Sequence, residues 1–232
     1  MAETKQKDIW YNEHLTAQTL PSVAENVPSD SVTDFVEWLR AVQLPSCPKV
    51  IDIGCGKGRN SVYLAQQGFE VYAVDFIQHA IETAKSKADE QGVSGKINFI
   101  TGNIDKKWQF PDNFFDLAVD CFSSIDIDTK LGRDIYKSEM HRTLKSGGYA
   151  LVCVVAAHDE WEKELIAKCP GAEKNSSIWP QNGKFQKNYD LHELKNFYRE
   201  FLLIECREYQ KKAVKLGKEF TATNFWLLLR KP

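Results

Sequence analysis

Residues 50–60, VIDIGCGKGRN, set Gly54, Gly56 and Gly58 at alternate positions between a β-branched run and an Arg-Asn pair. Lacking a Cβ, a glycine admits a sharp turn or the close approach of another group to the backbone. The run before the glycines reads as a strand, and residues 58–68 read as a helix closed by Gly68. A strand, a glycine turn and a helix N-terminus together offer backbone N–H groups to a ligand at the end of an open sheet. Two acids sharpen the reading. Asp75 ends the next strand, 69–75, where a carboxylate is placed to grip ribose hydroxyls. Asp52 lies in the strand just ahead of the glycines and needs hydrogen-bond partners if buried. From the glycines alone, a tight turn that binds nothing is the competing reading.

Outward from this stretch, strands alternate with helices. Strand patterns occupy 49–53, 69–75, 96–102, 114–122 and 149–156, with helical patterns over 58–68, 77–92 and 129–148. That alternation predicts βαβ units: an α/β fold, Rossmann-like and doubly wound, with a mostly parallel sheet. Upstream, Phe35, Trp38, Leu39 and Val42 recur at helical spacing after a Ser31–Asp34 start. Downstream, strands over 201–210 and 221–232 are joined by a short basic loop, too short for a parallel crossover, which predicts an antiparallel C-terminal strand. The expected organisation is an N-terminal helical cap over 1–45 and one domain over 46–232. A long irregular or partly helical, lid-like insertion interrupts that domain at about 157–189.

A chain of 232 residues with 43% hydrophobic content supports a full core without metal or disulfide staples. Net charge is −2, so nothing global calls for a polyanionic partner, and a nucleic-acid partner is not expected. The six cysteines are scattered without a C-x-x-C pair or a histidine cluster at zinc spacing, which predicts reduced thiols and no metal. No apolar stretch reaches membrane-spanning length and the start lacks a leader-like apolar region. These features fit a cytoplasmic protein without a membrane partner. They leave the oligomeric state open.

The spacing Asp52-x-Gly54-x-Gly56-x-Gly58 differs from the G-x-G-x-x-G of dinucleotide folds. It resembles the first motif of class I S-adenosylmethionine-dependent methyltransferases, and the resemblance extends over about 48–156. TGNIDKKWQFPDNFFDLAVD is similar to the family's adenine-side stretch, with Asn103 where an aspartate is usual and Ile104 next. EMHRTLKSGGYALV is similar to its turn before the fifth strand, with Ser146 replacing a proline. The resemblance implies S-adenosyl-L-methionine as cofactor. Gly54, Gly56 and Gly58 would lie against its methionine part, Asp52 would order that loop, and Asp75 would take the ribose. Asn103 and Ile104 would meet the adenine, and Cys55, Asn60 and Phe76 complete the implied contacts. Arg59-Asn60-Ser61 and the following Tyr63-Leu64-Ala65 also resemble the tellurite-resistance and small thiol methyltransferases. That likeness implies a small-molecule acceptor reached through sulfur, oxygen, nitrogen or a metalloid oxyanion.

The carboxyl end of the fourth strand faces the ligand crevice in such sheets. Asp120 and Phe122 are therefore candidates for contact with cofactor or acceptor, and Asp120 for a catalytic role. A carboxylate capping its own loop is the alternative for Asp120. Asp126 and Asp128 read as caps of the helix that follows. His158, after the fifth strand, is the other catalytic candidate, against a polar loop residue. Trp10, Tyr11, Trp161, Trp179, Phe185 and Tyr189 stand outside the core pattern, either covering an active site or packing added segments. Lys211, Lys212, Lys215 and Lys218 form a basic cluster, read as a solvated loop. Two further functional readings stand beside small-molecule methylation. One is a protein or RNA methyltransferase docking through the insertion and the lysines; the other is a silent cofactor binder.

Overall fold

The near-continuous apolar run of strand β1 (Lys49–Ile53) is buried on both faces, which places it inside the sheet rather than at its edge. The computed structural model describes residues 2–16 and 25–232. Helices α1 (Ala2–Thr16) and α2 (Asp30–Leu39) precede β1. Then come α3 (Arg59–Gln66), β2 (Glu70–Asp75), α4 (Gln78–Glu90), β3 (Ile97–Thr101), β4 (Phe115–Cys121), α5 (Lys130–Thr143) and β5 (Leu144–Val155). The chain continues through α6 (Glu160–Lys168), β6 (Ser176–Ile178), β7 (Phe185–Lys187) and α7 (Leu191–Phe197) to β8 (Leu202–Lys215) and β9 (Lys218–Arg230).

Seven strands form one sheet in the order β3-β2-β1-β4-β5-β9-β8. Every neighbouring pair from β3 to β5 is parallel, and β9 runs antiparallel to both β5 and β8. The sheet thus has the doubly wound, mostly parallel architecture with a reversed C-terminal strand that the sequence pattern predicts. Phe35 of α2, Leu64 of α3 and Ile81 of α4 pack on one face. Tyr136 and Met140 of α5 and Leu194 of α7 pack on the other. Among the described residues, no helix is long and apolar enough to cross a membrane.

The structure departs from the sequence pattern where local signals compete with tertiary pairing. The helical pattern of 129–148 stops at Thr143, because Leu144 already pairs with Phe115 as the start of β5. Thr129, rather than Asp126 or Asp128, caps α5, its hydroxyl accepting from the Gly132 N–H at 3.1 Å. Ser29, rather than Ser31, is the residue before α2. The expected basic loop over 211–220 is strand: β8 and β9 pair as far as Lys215–Lys218 and turn through Leu216 and Gly217. Both turn residues have positive φ, 49° and 75°, as two-residue hairpins of this twist require. Beyond Asn224 this hairpin outruns β5 and projects past the carboxyl ends of the parallel strands.

The insertion is partly helical, with α6 followed by the short strands β6 and β7. Asp159 caps α6 by accepting from the Trp161 and Glu162 N–H groups at 3.0 Å, and its other oxygen accepts from Thr223 N–H at 2.7 Å. One carboxylate therefore ties the insertion to the projecting hairpin. Of the expected cap segment 1–45, residue 1 and residues 17–24 lie outside the described residues; α1 and α2 account for most of the remainder.

Candidate functional site

At the carboxyl ends of β1, β2 and β4 the backbone turns away from the sheet and opens a cavity of about 730 Å³. Its floor is the glycine turn. Gly54 and Cys55 donate their N–H groups to the Val74 carbonyl at 2.8 and 2.9 Å, which pins the turn to the end of β2. Gly54 has φ +68°, and a Cβ there would lie 2.3 Å from Ser123 Oγ. Gly56, at φ +53°, faces the His14 ring, 3.3 Å from where its Cβ would be. Gly58 serves packing instead: at φ +77°, a Cβ would come within 2.7 Å of Ala84 Cβ on α4. Gly54 and Gly56 line the cavity, whereas Gly58 holds two helices together beneath it.

Asp75 stands at the lip of this floor. Its carboxylate accepts from Gly56 N–H and Ile77 N–H, both at 2.9 Å, so one side chain links the glycine turn to the start of α4. Burial pushes its pKa up, and these backbone donors work against the shift. Asp52 lies deeper, off the cavity lining, and accepts from the Ser61 hydroxyl at 2.5 Å. Burial raises its carboxyl to about 6, against the hydrogen bond from Ser61. Asp52 acts on the loop from below, as the carboxylate that anchors the first turn of α3.

Asp120 is the main correction among the candidates. It is fully buried and absent from the cavity lining. One oxygen accepts from Ser123 N–H at 2.8 Å and Ser124 N–H at 3.3 Å, and the other from the Tyr136 hydroxyl at 2.7 Å. The loop-capping alternative is the one the geometry matches. What that cap fixes is Phe122, which lines the cavity with φ +68°. So bulky a side chain in the left-handed region is strained and persists only where its surroundings dictate it. Here the Cys153 carbonyl takes its N–H at 3.1 Å while Asp120 clamps the next two residues.

His158 is the second correction. It is half-exposed, sits outside the cavity and pairs with Glu208 at 3.2 Å. Cys55, Asn60, Phe76, Asn103 and Ile104 do line the cavity. Asn60 spends its side-chain oxygen on Ser29 N–H at 2.9 Å, and the Ile104 carbonyl accepts from the Trp108 indole at 3.0 Å.

Three added elements cover the cavity, and they bring residues that no motif marked. From α1, Gln6 donates to the Gly183 carbonyl at 3.4 Å, Trp10 lies over Lys184 at 5.1 Å, and His14 presses on Gly56. The helix bridges the glycine turn and the insertion. His14 is buried with Nδ1 unpartnered, and burial lowers its pKa to about 4, so the ring is neutral. From the insertion, Lys184 is 2% exposed, with its ammonium 4.1 Å from the Trp179 ring centre and 3.7 Å from Asp126 Oδ1. From the hairpin, Lys215 is lowered by burial and pairs with the fully buried Glu162 at 3.4 Å. The lysine cluster divides accordingly: Lys215 is partly buried against Glu162, while Lys211 and Lys212 are exposed at the rim.

A family model described as "Methyltransferase domain" matches residues 50–148, the span from β1 to the start of β5. The ubiquinone biosynthesis O-methyltransferase of Rickettsia conorii is 30% identical over 150 residues, covering 63% of this chain and 48% of that protein. The chain spans about half the length of the curated relatives it matches. Among solved structures, an S-adenosylmethionine-dependent methyltransferase from Methanosarcina mazei superposes with a TM-score of 0.71 at 23% identity, over 81% of this chain and 94% of its own. TehB from Haemophilus influenzae superposes with a TM-score of 0.63 at 20% identity, over 86% and 62%. At these identities the two structures show a shared fold and leave the narrower tellurite-resistance resemblance where the sequence put it. With the glycine turn, the acid ending β2 and the reversed last strand, these matches show that residues 50–148 are similar to a methyltransferase domain and that the chain shares the fold of S-adenosylmethionine-dependent methyltransferases.

Proposed function

We propose that the chain transfers a methyl group from S-adenosylmethionine to a small-molecule acceptor. The observation that carries this reading is the Asp75 carboxylate bridging Gly56 and Ile77 at the lip of a cavity floored by bare glycine backbone. A cofactor with a ribose diol and an amino-acid tail fits that pairing, and a Cβ on Gly54 would fill the space of the turn itself. When bound, S-adenosylmethionine supplies a methyl group on a sulfonium, which leaves as a neutral thioether.

The chain's own contribution is to bind, orient and exclude water. In this proposal Asp75 takes the ribose hydroxyls, and Gly54, Cys55 and Gly56 present backbone to the methionine end. Phe76 and Ile104 flank the adenine, with the Asn103 amide and the Ile104 N–H as polar contacts. Asn60 shapes the floor through its bond to Ser29. Asp52, Gly58 and Asp120 act one layer back, through Ser61, Ala84 and Phe122 respectively. Cover by α1, the insertion and the hairpin favours a small acceptor over a protein or RNA chain.

Calorimetry with S-adenosylhomocysteine, S-adenosylmethionine and NAD tests the reading. Binding of the two adenosyl ligands in the micromolar range is expected. Asp75→Ala is expected to weaken it by about 1.5–3 kcal/mol, the scale of hydrogen bonds to a charged group. Preference for NAD would overturn the cofactor assignment. Donor consumption across thiols, amines, phenols and oxyanions identifies turnover, and binding without turnover of any acceptor would favour the silent binder.

A further inference from the structure

Asp126 and Lys184 both line the cavity and form a loose ion pair at 3.7 Å. Asp126 follows Phe122 by four residues, on the 3-10 turn Ser124–Asp126 beyond β4, and it lines the cavity. Its Oδ1 is buried and has no hydrogen-bond partner. The Lys184 ammonium, 3.7 Å away, is beyond direct hydrogen-bond reach of that oxygen. It is held in place by Gln186 Oε1 at 3.3 Å and by the Trp179 and Trp10 rings at 4.1 and 5.1 Å. A buried carboxylate oxygen with an unused acceptor site beside an immobilised cation is costly unless something completes it.

We infer that Asp126 and Lys184 complete their pairing on the acceptor's hydroxyl, with Asp126 as the catalytic base and Lys184 as the cation that holds the resulting oxyanion. A hydroxyl seated beside the pair suits it because one atom both donates a hydrogen and accepts one. It donates to Asp126 Oδ1 and accepts from Lys184 Nζ. A thiol donates only weakly, and a metalloid oxyanion would meet an acceptor-only carboxylate. Trp10, Phe122, Ile125, Ile127 and Phe220 also line the cavity, which fits a flat apolar body carrying that hydroxyl.

In the transfer, an oxygen lone pair forms the new carbon–oxygen bond while the carbon–sulfur bond breaks and its electron pair stays on sulfur. The hydroxyl proton goes to Asp126 Oδ1. A carboxylate is a weak base, so the hydroxyl must be acidic: a phenol at about 10 is within reach, an ordinary alcohol is not. Burial raises the Asp126 carboxyl to about 6, which brings it closer to such a partner. The charged groups facing it are Lys184 from the insertion, which opposes that rise, Glu162 of α6 with Lys215 of β8 behind it, and Asp120 of β4.

The inference rests on the proposed methyl transfer, and one experiment separates the two. Wild type, Asp126→Asn, Asp126→Glu and Lys184→Met are compared in donor consumption with a series of simple phenols, thiols, amines and aliphatic alcohols. Calorimetry with S-adenosylhomocysteine and thermal melting run alongside. The expected result is turnover of phenols, with kcat reduced about 100-fold or more in Asp126→Asn, KM changed far less, and partial rescue in Asp126→Glu. Affinity for S-adenosylhomocysteine should stay near wild type in all three variants, and melting temperature in Asp126→Asn, whereas Lys184→Met, which leaves Asp126 without its cation, is expected to melt lower. The wild-type rate should rise with pH through about 6, and Asp126→Asn should lose that limb. Turnover confined to thiols or amines, or phenol turnover that Asp126→Asn leaves within threefold, would overturn the inference while leaving methyl transfer intact. Absence of S-adenosylhomocysteine binding would remove both.

Discussion

The Ser123 hydroxyl donates to the Gly54 carbonyl at 3.1 Å, and the same serine occupies the space a side chain on Gly54 would need. The loop after β4 therefore rests directly on the glycine turn after β1. Gly54→Ala is expected to fail on two grounds: its φ of +68° costs an L-residue about 1–2 kcal/mol, and its methyl would lie 2.3 Å from Ser123 Oγ. Calorimetry should show at least about a tenfold loss in S-adenosylhomocysteine affinity, the equivalent of 1.4 kcal/mol. Ser123→Ala should not rescue it, because Ser123 Cβ lies 2.5 Å away as well. Wild-type affinity in Gly54→Ala would mean the turn relaxes freely.

Asp52 makes the fold pH-sensitive. Burial holds its folded pKa at about 6, above the 3.8 of a free carboxyl. Between these values the folded chain keeps a proton that the unfolded chain releases, so stability contributed by this group is complete below about 4. It is lost as pH rises through about 6. The difference corresponds to about 3 kcal/mol at most. Asp52→Asn keeps an acceptor for Ser61 and removes the titration. Denaturant melts from pH 4 to 7 should show the variant gaining on wild type as pH rises, and parallel curves would contradict the assignment.

Lys215 and Glu162 couple the hairpin to the insertion at 3.4 Å, with Glu162 fully buried. Lys215→Met alone leaves that carboxylate without its cation, although Ser177 Oγ still donates to it at 3.0 Å. A loss of about 3 kcal/mol is expected, the lower end for a broken buried pair. Lys215→Met with Glu162→Gln should recover most of it. Urea melts of the four-member cycle read the coupling directly. By contrast, Lys211→Ala should change stability by less than about 0.5 kcal/mol, as for other exposed surface residues.

Helix α1 reaches from the glycine turn to the insertion through His14, Trp10 and Gln6. Removing residues 1–28 should cost about fivefold or more in S-adenosylhomocysteine affinity, a loss of about 1 kcal/mol. His14 stays neutral above about 4, so that binding should not change between pH 6 and 8 on its account. Unchanged affinity and turnover in the truncated chain would show that α1 does not cover the ligand.

The glycine turn and Asp75 were legible in the sequence because backbone constraint leaves a spacing that survives any context. The direction of Asp120 was not. β4 is covered on both faces, so its residues show no polar alternation to say which side each one meets. His158 was misplaced because it follows β5 closely, while Asp159 turns the chain into α6 and carries the imidazole outward. Lys184 and Asp126 lie 58 positions apart and meet only because the insertion folds back over the cavity. The unpartnered oxygen they leave belongs to no motif. The end of α5 was read long because helical spacing carried past Thr143, where pairing of Leu144 with Phe115 takes precedence.

The contact between Gly58 and Ala84 binds two otherwise ordinary positions into a single choice. Ala84 is fully buried on α4, faces no ligand and carries the smallest side chain. A carbon added at Gly58 would lie 2.7 Å from Ala84 Cβ, and α4 begins only three residues beyond Asp75. Sequence drift at residue 84 would therefore be paid at the glycine turn. An alanine with no chemistry of its own is thereby kept small by the spacing of the groups proposed to hold the cofactor.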